Sequence, residues 1–363
     1  MKIFNHINVK TIDEATKLLK DYDGKAKLIA GGTDLLGELK GRVLSTYPEA
    51  LINIKTIPDM DYIREEAGFL KIGALTKLRK VATSPLVKEN FEMLAKAAGS
   101  VGSPQIRNMG TIGGNLCQDV RCWYYRYPDH LGGRIFCCLK GGKKCYALTG
   151  ENQHHSIFGG FRVNVPKRLV SERTLDAEDT HNVNLSDTTI EANRSFNCSC
   201  VAVNLSDIAA ALVALDAKLR ISSQTDVRTI SVEHFFRSLP NVLENDELMT
   251  EIQVPKVADG ASQAFIKFRL REAIDFSMAS VASLISLEDG VCQDARIVLG
   301  AVAPVPMRAL EAERTIIGKA IDGATAEAAA DSVVRNARPL RKNAHKVQIT
   351  KTLLKRAILS ARI

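Results

Sequence analysis

The sequence predicts an α+β fold, and three observations carry that reading. Short apolar runs of strand length recur without the regular strand-helix alternation of a doubly wound sheet. Stretches with helical apolar spacing, opened by cap-type residues, are interspersed among them. Toward the C-terminus three strand-like runs follow one another, with helical patterns only after them. The 363 residues, 45% apolar and 25% charged, suffice for about two or three domains and exclude collagen-like, disordered and disulfide-dense small-scaffold classes.

In chain order, residues 11–19 have helical spacing (Ile12, Ala15, Leu18, Leu19) with Thr11 as a cap. Residues 27–30 read as a strand running into Gly31-Gly32, 51–54 as a second strand, and 69–72 as a third leading into Gly73. A helix is expected over 86–98, then a glycine- and serine-containing loop. From 122 to 197 no period of two or 3.6 is sustained, as in functional or disordered loops; its second part, 161–197, is a polar excursion. Order returns with a short strand at Val201 and a helix over 208–215. Strands are expected at 264–270, 280–287 and 296–303, with Asp289-Gly290 turning the chain between the last two. Helical patterns follow at 309–317 and 326–338 and in the tail.

The net charge of +8 is a tail effect. Residues 335–363 carry nine Lys or Arg and no acid, leaving 40 basic against 41 acidic groups elsewhere. That tail lacks aromatics and its apolar positions suit an amphipathic helix, so a solvated or partner-docking face is expected and nucleic-acid binding is not. No apolar run reaches membrane-spanning length. The residues at Met1–His6 lack a signal-peptide apolar stretch, and a cytoplasmic protein is expected.

Seven of the eight cysteines (Cys117, Cys122, Cys137, Cys138, Cys145, Cys198, Cys200) fall within 84 residues. In an unexported chain a metal site or redox cluster explains such crowding better than disulfides do. Paired zinc knuckles and the C-x4-C-x2-C spacing of a plant-type two-iron site are both missing. His154-His155 lies close by and reads as a solvated pair in a polar loop. Two glycine loops stand about eighty residues apart, Ala30-Gly31-Gly32-Thr33-Asp34 and Gly110-Thr111-Ile112-Gly113-Gly114-Asn115. Paired glycines let backbone N–H groups converge on phosphate oxygens, although neither loop is a GxGxxG or GxxxxGK[ST] motif.

The AGGTD segment, the run from Gln105 to Asn115 with its RNMGTIGGN string, Leu205-Ser206-Asp207 and Lys267-Phe268-Arg269 together resemble the FAD-binding subunit of the xanthine dehydrogenase and carbon monoxide dehydrogenase family. The likeness spans nearly the whole chain outside the central insertion. It implies a two-subdomain FAD-binding domain of the vanillyl-alcohol oxidase type plus a C-terminal domain of three antiparallel strands with helices. The expected divisions are 1–58, 59–220 with an insertion at 117–200, and 221–363. Residues Leu28, Ile29, Ala30, Gly31, Gly32, Thr33, Asp34 and Leu35 would wrap the FAD pyrophosphate, with Thr111, Gly114 and Asn115 on its other side. Asp207 would accept from cofactor hydroxyls, a helix N-cap being its other reading. Lys267 would lie near the flavin or else be solvated.

The residues around Cys122, Cys137, Cys145 and Cys200 further resemble the subgroup typified by the β subunit of 4-hydroxybenzoyl-CoA reductase and the flavin subunit of periplasmic aldehyde oxidoreductase, in which a loop binds a [4Fe-4S] cluster. Cys122, Cys145 and Cys200 match directly. The C-x7-C spacing favours Cys137 as the fourth ligand, with Cys138 as alternate. Cys117 is expected beside the flavin loop and Cys198 as a spare thiol. The resemblance implies an oxidoreductase subunit with no catalytic residues of its own. Its partners would be a molybdenum-cofactor large subunit, a small [2Fe-2S] subunit and an external carrier, ferredoxin or NAD. The other readings are the FAD subunit of an NAD-linked hydroxylase and a non-enzymatic iron-sulfur protein.

Overall fold

A computed structural model describes residues 1–133, 135–164, 197–236 and 241–362. The expected excursion at 161–197 falls largely outside the described residues, as does the side chain of Cys198.

The N-terminal lobe runs β1 (Asn5–Asn8), α1 (Ile12–Asp21), β2 (Ala26–Ile29), α2 (Leu35–Gly41) and β3 (Ala50–Asn53). All three strands are parallel, in the order β1-β3-β2. The hydroxyl of Thr11 accepts the Glu14 N–H at 3.1 Å and so starts α1 where its cap chemistry predicts. β3, apolar in three of its four residues and central, is buried throughout. The strands expected at 27–30 and 51–54 each form one residue earlier.

The second lobe begins with β4 (Ile63–Glu66) and β5 (Phe69–Gly73), followed by α3 (Leu78–Thr83), α4 (Pro85–Asn90), α5 (Glu92–Ser100), α6 (Pro104–Met109) and α7 (Ile112–Leu116). The single helix expected over 86–98 is broken at Phe91, whose backbone leaves helical geometry (φ −135°, ψ 51°) while its ring is buried in the core. After the cysteine region, which contributes α8 (Trp123–Arg126), β6 (Phe161–Asn164) and β7 (Asn197–Cys200), the lobe resumes. It adds α9 (Asp207–Ala214), β8 (Lys218–Ser222), β9 (Val227–Ser231), α10 (Val232–Phe235) and β10 (Leu248–Pro255). The strand expected at Val201 is instead irregular chain. Its carbonyl accepts from Ser156 N–H across the loop, which satisfies the backbone without a ladder.

The sheet order is β4-β5-β10-β8-β9, with β10 antiparallel to both neighbours. A division at 220/221 therefore cuts β8, and the sheet continues to Pro255. Long-range pairing of β10 with β5 sets this, and no local pattern near 221 reports it.

The C-terminal unit is the antiparallel sheet β11 (Ser262–Phe268), β12 (Ala279–Glu288), β13 (Val291–Gly300) and β14 (Met307–Arg308), backed by α11 (Leu310–Ile316), α12 (Gly323–Val334) and α13 (His345–Leu359). The three expected strands and three helical patterns are all present. α13 buries Leu353, Leu354, Ala357 and Ile358, and its Lys351 and Lys355 pair with Glu327 and Asp331 of α12 at 2.6–2.7 Å. The basic tail is thus an amphipathic helix whose charges answer its neighbour's acids. Helix α9 is buried in all eight residues and packs on α5 and on β12 and β13, so it is shared between the second lobe and the C-terminal unit. Among the described residues no helix is long and apolar enough to cross a membrane.

Candidate functional site

Both glycine loops occur where a strand or turn hands over to a helix, and they meet. A Cβ on Gly31 would lie 2.2 Å from the Met109 carbonyl oxygen, and one on Gly113 would lie 2.9 Å from the Ala74 carbonyl oxygen. Only glycine permits that backbone approach. Gly32 turns the first loop at φ +69°.

A cleft opens on either side of this junction. The larger cavity, about 510 Å³, is lined by every residue from Leu28 to Leu35 together with Thr111, Gly114 and Cys117. The smaller, about 210 Å³, shares Thr33, Asp34, Thr111 and Gly114 and adds Asn115, Asp207 and Lys267. All the expected cofactor residues therefore line one or other of these two adjoining cavities, and Cys117 lies in the wall of the larger, where burial pushes the thiol up to about 12. The first loop's glycines bring backbone to the cavity wall, which suits a phosphate-bearing cofactor, whereas the Gly113 and Gly114 N–H groups of the second loop are already bonded to the Ala74 carbonyl and the Thr111 hydroxyl.

Individual roles are sharpened. The Thr111 hydroxyl caps α7 by accepting Gly114 N–H at 3.1 Å, so these two residues shape the loop by bonding each other. Asn115 Oδ1 accepts from Ser206 Oγ at 2.6 Å, and Ser206, not Asp207, is the N-cap of α9. That frees the Asp207 carboxylate. It accepts from Lys267 Nζ at 2.6 Å, Ser277 Oγ at 2.5 Å and Ser100 Oγ at 3.3 Å. Lys267 is not solvated: its side chain is 5% exposed, and it also donates to the Ser100 carbonyl at 3.1 Å.

Asp34 faces the cysteine loop. Its Oδ1 pairs with Arg126 Nη1 at 2.9 Å and Arg121 Nη2 at 3.0 Å, and its Oδ2 accepts Asp119 N–H at 2.8 Å. One turn on along α2, Glu38 meets Arg126 Nη2 at 3.0 Å. Burial foremost, then the Asp119 and Asp34 carboxylates against the pull of Arg126, push Glu38 up to about 8. Sequence reasoning missed Glu38, Arg121 and Arg126. The signal was the i, i+4 spacing of Asp34 and Glu38 opposite two arginines flanking Cys122.

The cysteine loop gathers Cys122, Cys137, Cys138, Cys145 and Cys200 into one apolar cluster with Val120, Tyr125, Ala147 and Val201. None of these five is in a disulfide. Hydrogen bonds from Cys138 and Cys200 pull Cys145 well below the ordinary thiol range. The Cys138 contact favours the Cys200 thiolate, while the bond to Cys145 and burial outweigh it and raise Cys200. Cys137 is buried beside the Lys140 charge. Among the described residues no three Cys, His, Asp or Glu side chains are arranged to hold a metal ion. Spacing favours Cys137 as partner of Cys122, Cys145 and Cys200; the thiol contacts favour Cys138.

Of the histidine pair, His154 is exposed as expected and His155 is not. His155 is 3% exposed, and its Nε2 lies 3.2 Å from Cys122 Sγ. Burial drops its pKa to about 4. Its burial follows from α13 and the turn before it, where Asn343 Nδ2 and Lys346 Nζ donate to the His155 carbonyl.

The fold and its cavities define an α+β protein in which two glycine loops meet at one junction. The chain belongs to the family described as FAD binding domain in molybdopterin dehydrogenase, whose model matches residues 2–257; a second family model, CO dehydrogenase flavoprotein C-terminal domain, matches residues 263–361. It is thus an FAD-binding subunit of the xanthine dehydrogenase and carbon monoxide dehydrogenase class of oxidoreductases. Among curated proteins it is 28% identical to the FAD-binding subunit of an aldehyde oxidoreductase of Escherichia coli, over 100% of this chain and 99% of that one. It is 27% identical to the FAD-subunit of nicotinate dehydrogenase of Eubacterium barkeri, over 90% of this chain and 84% of that one. Among solved structures, carbon monoxide dehydrogenase of Hydrogenophaga pseudoflava superimposes with a TM-score of 0.72 at 26% identity, over 99% of this chain and 98% of that chain. The match places the division between the two units at 257–263.

Proposed function

We propose that this chain is the electron-transfer subunit of a molybdenum hydroxylase or reductase complex and holds both FAD and a [4Fe-4S] cluster. The observation that carries the second cofactor is the convergence of five cysteines, none in a disulfide, in one apolar pocket, on a loop ion-paired to the first glycine loop. FAD exchanges electrons in pairs or singly, and a four-iron cluster singly. The chain's own part is to bind and insulate. The glycine loops and Asn115 hold the flavin end of the path. Cys122, Cys145 and Cys200 with Cys138, which touches two of them, supply four thiolates, Cys137 being the alternate fourth. Val120, Tyr125 and Ala147 keep water from the thiols. Electrons would pass between an external carrier of ferredoxin type and two-iron clusters of a small subunit leading to molybdenum in a large one. The relatives' own designations, as FAD-subunits and medium chains, support a multi-subunit setting.

Anaerobic purification with flavin extraction, iron and sulfide quantification and EPR after dithionite tests the reading. About one FAD and four irons per chain is expected. Cys122→Ser, Cys145→Ser and Cys200→Ser should each abolish the EPR signal, and comparing Cys137→Ser with Cys138→Ser identifies the fourth ligand. Flavin without iron in the wild type sinks the cluster. Reduction by NADH but not by reduced ferredoxin would replace the carrier.

A further inference from the structure

We propose that Arg121 and Arg126 of the cysteine loop are part of the flavin-diphosphate site: they lock and neutralise Asp34, so that the glycine loop can accept an anion. This rests on the flavin reading and is independent of the iron-sulfur reading.

Asp34 directly follows Gly31-Gly32-Thr33, which line the larger cavity with it. Asp34 lines both cavities, and a carboxylate charge there would oppose a diphosphate bound in them, since like charges in a half-buried cleft interact far more strongly than in water. The cysteine loop removes that opposition. Arg126 grips both Asp34 oxygens, Nη1 to Oδ1 at 2.9 Å and Nη2 to Oδ2 at 3.2 Å. Its position is fixed by bonds from Nε to the Val120 carbonyl at 2.6 Å and from Nη2 to the Asp119 carbonyl at 3.1 Å. Arg121 adds a second guanidinium to Oδ1 at 3.0 Å.

Arg121 also lines the smaller cavity beside Thr33, Gly114 and Asn115. Its guanidinium lies over the Phe276 ring, 5.0 Å from the centroid, and its buried Nε has no hydrogen-bond partner among the described residues. The neighbouring acids do not cancel this arrangement. Asp119 is answered by Tyr125 Oη at 2.6 Å and by Val120 N–H at 2.7 Å, and burial keeps Glu38 largely protonated near neutral pH. A segment that looks like an insertion for cysteines thereby completes the charge balance of the first glycine loop. Arg126 acts through Asp34 as a positioning residue.

The test uses the full chain stripped of flavin and titrated with FAD, ADP and riboflavin, with iron measured on the same samples. Arg126→Gln and Arg121→Gln should each weaken FAD and ADP by about tenfold or more. Riboflavin, which lacks the diphosphate, should change by no more than about twofold. Adding Asp34→Asn to Arg126→Gln should restore most of the loss, because the uncompensated carboxylate is its cause; a merely structural arginine gives no such recovery. Unchanged FAD and ADP affinity in both folded variants, an equal loss for riboflavin, or no recovery in the double variant overturns the proposal. If Arg126→Gln does not fold by circular dichroism, the partly exposed Arg121 carries the same comparison through Arg121→Gln with and without Asp34→Asn. Failure of the wild type to bind FAD would instead remove the flavin reading itself, and absent iron with intact FAD effects would remove only the cluster.

Discussion

Three donors converge on the Asp207 carboxylate, and one of them, Lys267, is itself almost wholly buried. Removing one member of a buried pair strands the other's charge and costs about 3–5 kcal/mol, whereas replacing both costs far less. Lys267→Met should therefore lower the unfolding free energy by about 3–5 kcal/mol in urea titrations, and Lys267→Met with Asp207→Asn should recover at least about half of it. Equal losses in the single and double variants would show that the pair is not coupled. Glu38 gives a pH test. Burial, with Asp119 and Asp34 opposing Arg126, lifts its folded pKa from an ordinary 4.5 to about 8. The native state then keeps a proton that the unfolded chain has released. The stability this contributes is fully present below about 4.5 and is lost as pH rises through about 8, at no more than roughly 1.4 kcal/mol per pH unit. Glu38→Gln should flatten the stability profile over that interval and exceed the wild type at its upper end; a parallel profile would count against the assignment. Asp207 and Lys267 were legible as members of recognisable motifs. Glu38, Arg121 and Arg126 were not, because charged side chains are solvated by default and only the fold shows these five-sided contacts among acids and guanidiniums.

Among elements, α2 permits a controlled comparison of glycines. Gly31, at the loop before it, abuts the Met109 carbonyl, while Gly37 within it has nothing within 4 Å of a built Cβ. Gly31→Ala must separate the two glycine loops and should cost about 1–3 kcal/mol, with FAD retention on gel filtration falling in parallel. Gly37→Ala should gain about 0.5–1 kcal/mol from helix propensity alone. A harmless Gly31→Ala would mean that the loops yield more readily than their backbone contact implies. Elements with their own start signals were legible: Thr11 opens α1, and Asp289-Gly290 turns β12 into β13. Failures occurred where distant packing decides. Phe91 breaks an otherwise continuous helical pattern because its ring is drawn into the core, and β8 to β10 look like the start of a new unit until their pairing with β5 is known. The same cause hid the burial of His155, since its carbonyl partners lie some 190 residues away.

Across the whole molecule the cysteine pocket is clamped by the C-terminal unit as well as by the flavin loop. Lys346, fully buried at the start of α13, donates to the carbonyls of Ala301 at 2.6 Å, His155 at 3.0 Å and His154 at 3.3 Å. Ile157 enters the C-terminal core, and its N–H bonds the Val302 carbonyl at 2.9 Å. The chain's single tryptophan reports on this clamp, because Trp123 sits edge-on to both His154 and His155 and donates Nε1–H to the Glu151 carbonyl at 3.1 Å. α9 joins the second lobe to the C-terminal unit and Lys346 ties the pocket to α13, so the pocket is expected to unfold together with its surroundings. Trp123 fluorescence and far-UV circular dichroism should then follow one urea transition in the wild type. Lys346→Met takes a donor from the carbonyls of Ala301, His154 and His155, of which His155 keeps Asn343 Nδ2 and the buried Ala301 carbonyl is left to cost on the order of 1–3 kcal/mol, and two of the three lie in the 152–157 loop. Its Trp123 transition should therefore move to lower urea than the circular dichroism transition, as expected when one segment opens before the rest. Coincident transitions in the variant would place the clamp elsewhere, and separate transitions already in the wild type would make the cysteine pocket a unit that opens on its own.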